Sequence, residues 1–185
     1  MKSVVLIVFL VILYGCKSEE RKEVGYNAFS VIPEDAPKQI IRGENRSLKV
    51  YDFEGFEHML SKQDDKIYII NFWATWCKPC VAELPFFEEI TEKYSAGNVE
   101  VVLVSLDMPR MFETHLLPFV EKRDLKSNVI VLDDPRQNDW IPKVSEEWSG
   151  AIPATLVYRN SKKEFYERSL EYEELETIIE KFKNH

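Results

Sequence analysis

Two cysteines stand two residues apart in the stretch Trp76-Cys77-Lys78-Pro79-Cys80. One turn of helix across that spacing brings two sulfurs within bonding reach. A cysteine at a helix N-terminus has its thiolate favoured by the dipole and the free N–H groups, and Lys78 adds a positive charge beside Cys77. Cys80, one turn further in, is expected to be the more buried sulfur. This pattern suits thiol–disulfide exchange, with Cys77 attacking a partner disulfide and Cys80 resolving the mixed disulfide. Trp76 has only a neutral N–H to offer, so it is read, with Lys78 and Pro79, as docking surface rather than chemistry.

Other uses of the pair fit less well. A structural zinc site needs two further ligands, but no second cysteine pair exists and His58, His115 and His185 are scattered. An inert disulfide framework would show more cysteines at wider spacing, and the chain has three in all. No metal and no organic cofactor is expected; the redox-active disulfide is itself the reagent.

The elements that must position the pair follow from periodicity. Lys66 to Trp73 is a continuous apolar, β-branched run, which suits a strand buried on both faces. Cys77 to Tyr94 follows as a helix, with Leu84, Phe87, Ile90 and Tyr94 at helical spacing. Upstream, Leu48 to Tyr51 alternates as a short strand and Phe53, Phe56, Met59 and Leu60 mark an amphipathic helix. Downstream come strands at Val99 to Leu106 and Asn128 to Leu132, and helices at Phe112 to Val120 and Trp140 to Trp148. Strands at Ala154 to Tyr158 and Glu164 to Arg168 and a helix from Glu171 to Lys183 complete the chain. The order predicts an α/β fold, a central mixed sheet with helices on both faces.

The N-terminus is of another kind. Lys2 precedes an unbroken apolar run from Val4 to Leu13, too short to span a bilayer but suited to a secretory signal. Leu13-Tyr14-Gly15-Cys16 resembles a bacterial lipobox, with the bulky Tyr14 a loose match; a plain signal peptide or an uncleaved anchor are the alternatives. The expected organisation is a signal peptide at 1–15, a lipidated Cys16 and flexible tether at 16–46, and one globular domain at 47–185. The 24 basic and 32 acidic side chains are interspersed and the net charge is −8, which gives no nucleic-acid footprint.

A family resemblance enters here. The run Asn71-Phe72-Trp73-Ala74-Thr75-Trp76-Cys77-Lys78-Pro79-Cys80, followed by Glu83-Leu84-Pro85, strongly resembles the TlpA/ResA-like branch of the thioredoxin superfamily. Gly150-Ala151-Ile152-Pro153-Ala154-Thr155 is similar to the superfamily's second fingerprint, a cis-proline loop facing the cysteines. The resemblance covers roughly residues 47–185. It implies a thioredoxin-like fold with a central insert at about Met108 to Trp148. It also implies a cis Pro153 and an Ile152 backbone that pairs with a bound substrate strand. Glu83 matches an acid that this group places near its cysteines, where burial would make it a proton acceptor for Cys80; an exposed helix glutamate is the plainer reading. Members are extracytoplasmic, membrane-tethered thiol–disulfide oxidoreductases, many of them reductants in cytochrome c maturation. The implied partners are protein disulfide or dithiol substrates, a membrane electron donor, and the membrane itself through the N-terminal lipid.

The runner-up reading is a disulfide oxidant or isomerase using the same residues. A copper-delivery module on the same fold would resemble C-x-x-x-C with a distal histidine, and a thiol peroxidase would need a cysteine motif that this chain lacks. Whether the domain faces the periplasm or the cell surface stays open at this level.

Overall fold

The structure, a computed structural model, describes residues 36–184. The expected signal peptide at 1–15 and the lipidation at Cys16 lie outside these residues. Strand β3, Ile67–Trp73, is buried at every position. It is flanked by β4, Val99–Ser105, in parallel and by β6, Ala154–Arg159, antiparallel. With β1 at Gln39–Arg42, β2 at Ser47–Tyr51, β5 at Asn128–Leu132 and β7 at Lys162–Tyr166, the sheet order is β1-β2-β5-β4-β3-β6-β7. The strands β2, β5, β4 and β3 run parallel to one another, while β1 joins β2, β6 joins β3 and β7 joins β6 antiparallel at the two margins.

Alternate residues of β3 face opposite cores, because side chains in a strand repeat every second position. Ile67, Ile69 and Trp73 face Leu84, Phe87 and Ile90 of α2, Lys78–Lys93, and Leu175, Ile179 and Phe182 of the C-terminal helix, Tyr172–Lys183. Tyr68, Ile70 and Phe72 face the other way, onto Phe53 and Phe56 of α1, Phe53–Glu57, and onto Trp140 and Trp148. Phe72 and Trp148 hold their ring centroids 4.6 Å apart, and Phe53 stacks on Trp140 at 5.8 Å. Burying each such side chain contributes roughly 1.5–3 kcal/mol, so two helical layers explain why the β3 run is apolar without alternation.

Several boundaries differ from the sequence expectation. The segment 16–46 was expected as tether, yet β1 lies within it and pairs antiparallel with β2, so the fold begins before residue 47. Ile41, 2% exposed, is the single inward side chain of β1, too little to make a pattern. The expected helix at Phe112 to Val120 is divided. A π turn spans Phe112–Leu116, where the Leu117 N–H donates to the Phe112 carbonyl five residues back, and α3 follows at Leu117–Arg123. Pro118, with no N–H to donate, sits in the first turn of α3. Helix α4 spans Gln137–Val144 rather than Trp140 to Trp148; Trp148 is buried but belongs to a turn, its N–H donating to the Ser145 carbonyl. The last helix is α5, Tyr172–Lys183. Part of the expected insert, β5, is an integral strand of the sheet.

Candidate active site

The site forms where β3 ends and α2 begins. Cys77 is the N-cap of α2: its backbone is extended and its sulfur accepts from the Cys80 N–H at 3.3 Å. Pro79 falls in the first turn, where a missing N–H costs nothing. Cys77 and Cys80 are joined in a disulfide with Cα atoms 5.3 Å apart. Cys77 is 6% exposed and Cys80 fully buried, while Lys78 and Pro79 lie at the surface. Trp76 is 55% exposed and borders a shallow groove with Met111, Pro118 and Phe119. Trp73, by contrast, is wholly buried and packs on Phe119 at 5.6 Å.

A second loop closes on the cysteines from the far end of the chain. The Ile152–Pro153 peptide bond is cis, and the Ile152 carbonyl oxygen lies 3.7 Å from the Cys77 sulfur. Gly150 turns the chain at φ 94°, a conformation that residues with a Cβ resist. The loop is tied down by the Trp148 indole, which donates to the Ala151 carbonyl at 2.8 Å. The Glu167 carboxylate also accepts from the Ser149 and Ala151 N–H groups.

One turn along α2 from Cys80, Glu83 is 2% exposed. Its carboxylate accepts from the Asn71 amide of β3 at 2.8 Å and from the Leu170 N–H at 2.9 Å. The same Asn71 amide donates to the Thr155 hydroxyl at 3.1 Å. Burial pushes the Glu83 pKa up to about 7, although the two donors pull the other way. A carboxyl poised near neutral pH can both take and return a proton under ordinary conditions. The structure thus brings Cys77, Cys80, Trp76, Ile152 and Pro153 together at one end of the sheet, with Glu83 one turn behind on α2. Sequence reasoning named Thr155 only within the proline-loop fingerprint and missed its contact with the Asn71 amide, 84 residues away. It also missed Asp107, whose buried carboxylate accepts from Thr75 just ahead of the cysteines. The available signal for Asp107 was an acid directly after a buried apolar strand, where a charge must find donors. Among the described residues no group of three or more His, Cys, Asp or Glu is arranged to hold a metal ion.

A sheet of this order with a disulfide at the head of α2 and a cis-proline opposite it defines a class, the thioredoxin-like thiol–disulfide oxidoreductases. More particularly, the AhpC/TSA family profile matches residues 43–163, and the chain belongs to that family. Its relatives include the thiol-disulfide oxidoreductase ResA of Bacillus cereus, 32% identical over 125 residues, 68% of this chain and 66% of that protein. ResA of Geobacillus kaustophilus is 29% identical over 134 residues, 71% of this chain and 72% of that protein. The chain therefore spans about two thirds of the length of these relatives. Among solved structures, a secreted thiol-disulfide isomerase from Corynebacterium glutamicum superposes with a TM-score of 0.57 at 17% identity, over 80% of this chain and 82% of that one. StoA from Bacillus subtilis gives 0.51 at 18% identity, over 75% and 90%. These two likenesses establish the fold. No helix among the described residues is long and apolar enough to cross a membrane.

Proposed function

We propose that the chain is an extracytoplasmic protein disulfide reductase, held at a membrane through a lipid on Cys16 and renewed by a membrane electron donor. The Cys77 thiolate attacks a partner disulfide, forming a Cys77–partner bond and releasing one partner sulfur as thiolate. Glu83 takes the Cys80 proton; Cys80 then attacks the Cys77 sulfur, closing the intramolecular disulfide and releasing the second partner sulfur. Two electrons pass from the dithiol to the partner. Trp76, Lys78 and Pro79 form the docking rim, and the Ile152 backbone beside Pro153 receives the partner strand.

The observation that carries this reading is the buried Glu83 one turn from Cys80, with its pKa about 7. A reductant must deprotonate its resolving thiol to eject its partner, and a carboxyl of that pKa can do so. One application consistent with this chemistry is the reduction of substrates for cytochrome c maturation. The second reading, an oxidant or isomerase, is favoured by Lys78, whose charge beside Cys77 stabilises the thiolate and so the reduced form. Lys78 is exposed and screened by salt, so its effect is small. Equilibration against glutathione separates the two: a potential near about −270 mV fits a reductant, whereas one near about −120 mV overturns it. For the anchor, Cys16→Ser should release the chain from membranes or leave an unprocessed precursor, and a mature chain with Cys16 unmodified removes that part.

A further inference from the structure

The loop that delivers Cys77 to the site is tied down by a carboxylate just past the end of the neighbouring strand β4. Asp107 follows β4 and is 2% exposed. One of its oxygens accepts from the Thr75 N–H at 3.0 Å and from the Ser105 hydroxyl at 2.8 Å; the other accepts from the Thr75 hydroxyl at 2.5 Å. The Asp107 N–H in turn donates to the Ser105 hydroxyl at 3.1 Å. The loop, residues 74–77, is also held near its ends. The Leu106 N–H donates to the Trp73 carbonyl at 2.8 Å, and the Cys77 N–H donates to the Ala74 carbonyl at 3.1 Å.

A buried carboxylate is costly unless several donors satisfy it. Here two of the three side-chain-oxygen bonds come from one residue, and that residue stands two places before the nucleophile. Thr75 therefore has both its backbone and its side-chain donor spent on a single anchor. From this geometry we propose that Asp107 is a positioning residue for Cys77, acting through Thr75 to hold the approach loop in the one arrangement that sets Cys77 against Cys80. The role rests on the reading of this pair as the exchanging one. Closing the disulfide is an intramolecular step, so its equilibrium scales with the effective concentration of one thiol at the other. A clamped loop keeps that concentration high; a freed loop lets Cys77 wander and weakens the disulfide relative to an external one. Trp76 lies between Thr75 and Cys77, so the same clamp also orients the docking rim.

The test uses the full chain equilibrated with reduced and oxidised glutathione. Two glutathione thiols supply two electrons and two protons as their own S–S bond forms and the Cys77–Cys80 bond breaks. Thr75→Val removes the hydroxyl donor and keeps the shape; Asp107→Asn removes the charge and one acceptor. Each should move the equilibrium about tenfold toward the dithiol, as the loss of a hydrogen bond to a charged group implies, while Thr75→Ser stays within about twofold of the parent. Melting of Thr75→Val should remain a single transition, because the bonds it loses lie outside both apolar cores. An equilibrium for Thr75→Val that matches the parent overturns the proposal, whether or not Asp107→Asn folds. A parent chain that does not exchange with glutathione at all overturns the proposed function, and this role falls with it.

Discussion

The side-chain amide of Asn71 in β3 donates to the carboxylate of Glu83 in α2 at 2.8 Å, joining the central strand to the helix that carries the cysteines. The bond crosses a fully buried region, and its acceptor is an acid. Glu83 is thereby held in one orientation, with its second oxygen on the Leu170 N–H. Its proton affinity is set mainly by burial, against the pull of these donors.

The pH dependence of both exchange and stability follows. Glu83 is a base only when ionised, so turnover should rise as pH passes through about 7 and Glu83→Gln should flatten that rise. For stability, the folded pKa of about 7 lies above the ordinary 4.5. The folded state is favoured by the protonated acid below pH 4.5, and that advantage is lost as pH climbs through about 7. At about 1.36 kcal/mol per unit, the loss is roughly 3 kcal/mol. Denaturant midpoints of parent and Glu83→Gln at pH 5 and pH 8 measure it; a parent midpoint with no more pH dependence than the variant's removes Glu83 from the mechanism.

The two cysteines should behave asymmetrically. Cys77→Ser is expected to abolish insulin disulfide reduction. Cys80→Ser should also lose turnover yet accumulate mixed disulfides through Cys77, because the attacking sulfur remains. Mass spectrometry of trapped species decides the roles, and a partner found on Cys80 in the Cys77 variant, with none on Cys77, reverses them.

Pro153→Ala should weaken docking more than folding. The residue is buried, and the neighbouring Ile152 carbonyl is 3.7 Å from the Cys77 sulfur. A rise in KM for a protein disulfide, with little change in rate toward a small disulfide, is the expected split. Equal losses toward both substrates would place Pro153 in the chemistry instead.

Away from the site, Asp134 should be a stability determinant with the opposite pH sign. It is 7% exposed and accepts from the Phe53 and Arg136 N–H groups and twice from the Arg136 guanidinium. The Arg136 side chain, above all, holds its pKa down at about 2, below the ordinary 3.8. Its stabilisation is therefore present above pH 3.8 and lost as pH falls through about 2. Asp134→Asn should cost about 1–3 kcal/mol near neutral pH, mostly through the buried bond to Phe53, since the Arg136 side chain is largely exposed and screened. The gap between parent and variant midpoints should be narrower at pH 3 than at pH 7; a gap that stays constant contradicts the assignment.

What could be seen in the sequence tracks how local each feature is. The β3 run and the α2 stripe are legible because each residue type repeats with the period of its own element. Cys77 and Cys80 are legible because their spacing is itself the chemistry. Glu83 can be picked out one turn beyond Cys80, but its buried carboxylate is satisfied by Asn71 and Leu170, up to 87 residues away, and no local pattern encodes such contacts. Strand β1 escapes notice because it offers one inward residue and owes its form to pairing with β2. Helix α4 was shifted because Trp140 and Trp148 are both buried, though only Trp140 is helical. Asp107 is invisible as a positioning residue until β4 and the loop before Cys77 are seen side by side.

The exposure of Trp76 makes the site readable by light. The chain holds four tryptophans, and Trp73, Trp140 and Trp148 are 0%, 3% and 5% exposed against 55% for Trp76. A water-borne quencher such as iodide therefore reaches the indole adjoining the redox pair and spares the other three. Emission that iodide removes reports on the rim of the site, and emission that survives reports on the two cores. Arrival of a partner on the rim should be written into the first component, so the unlabelled chain carries its own optical probe of docking.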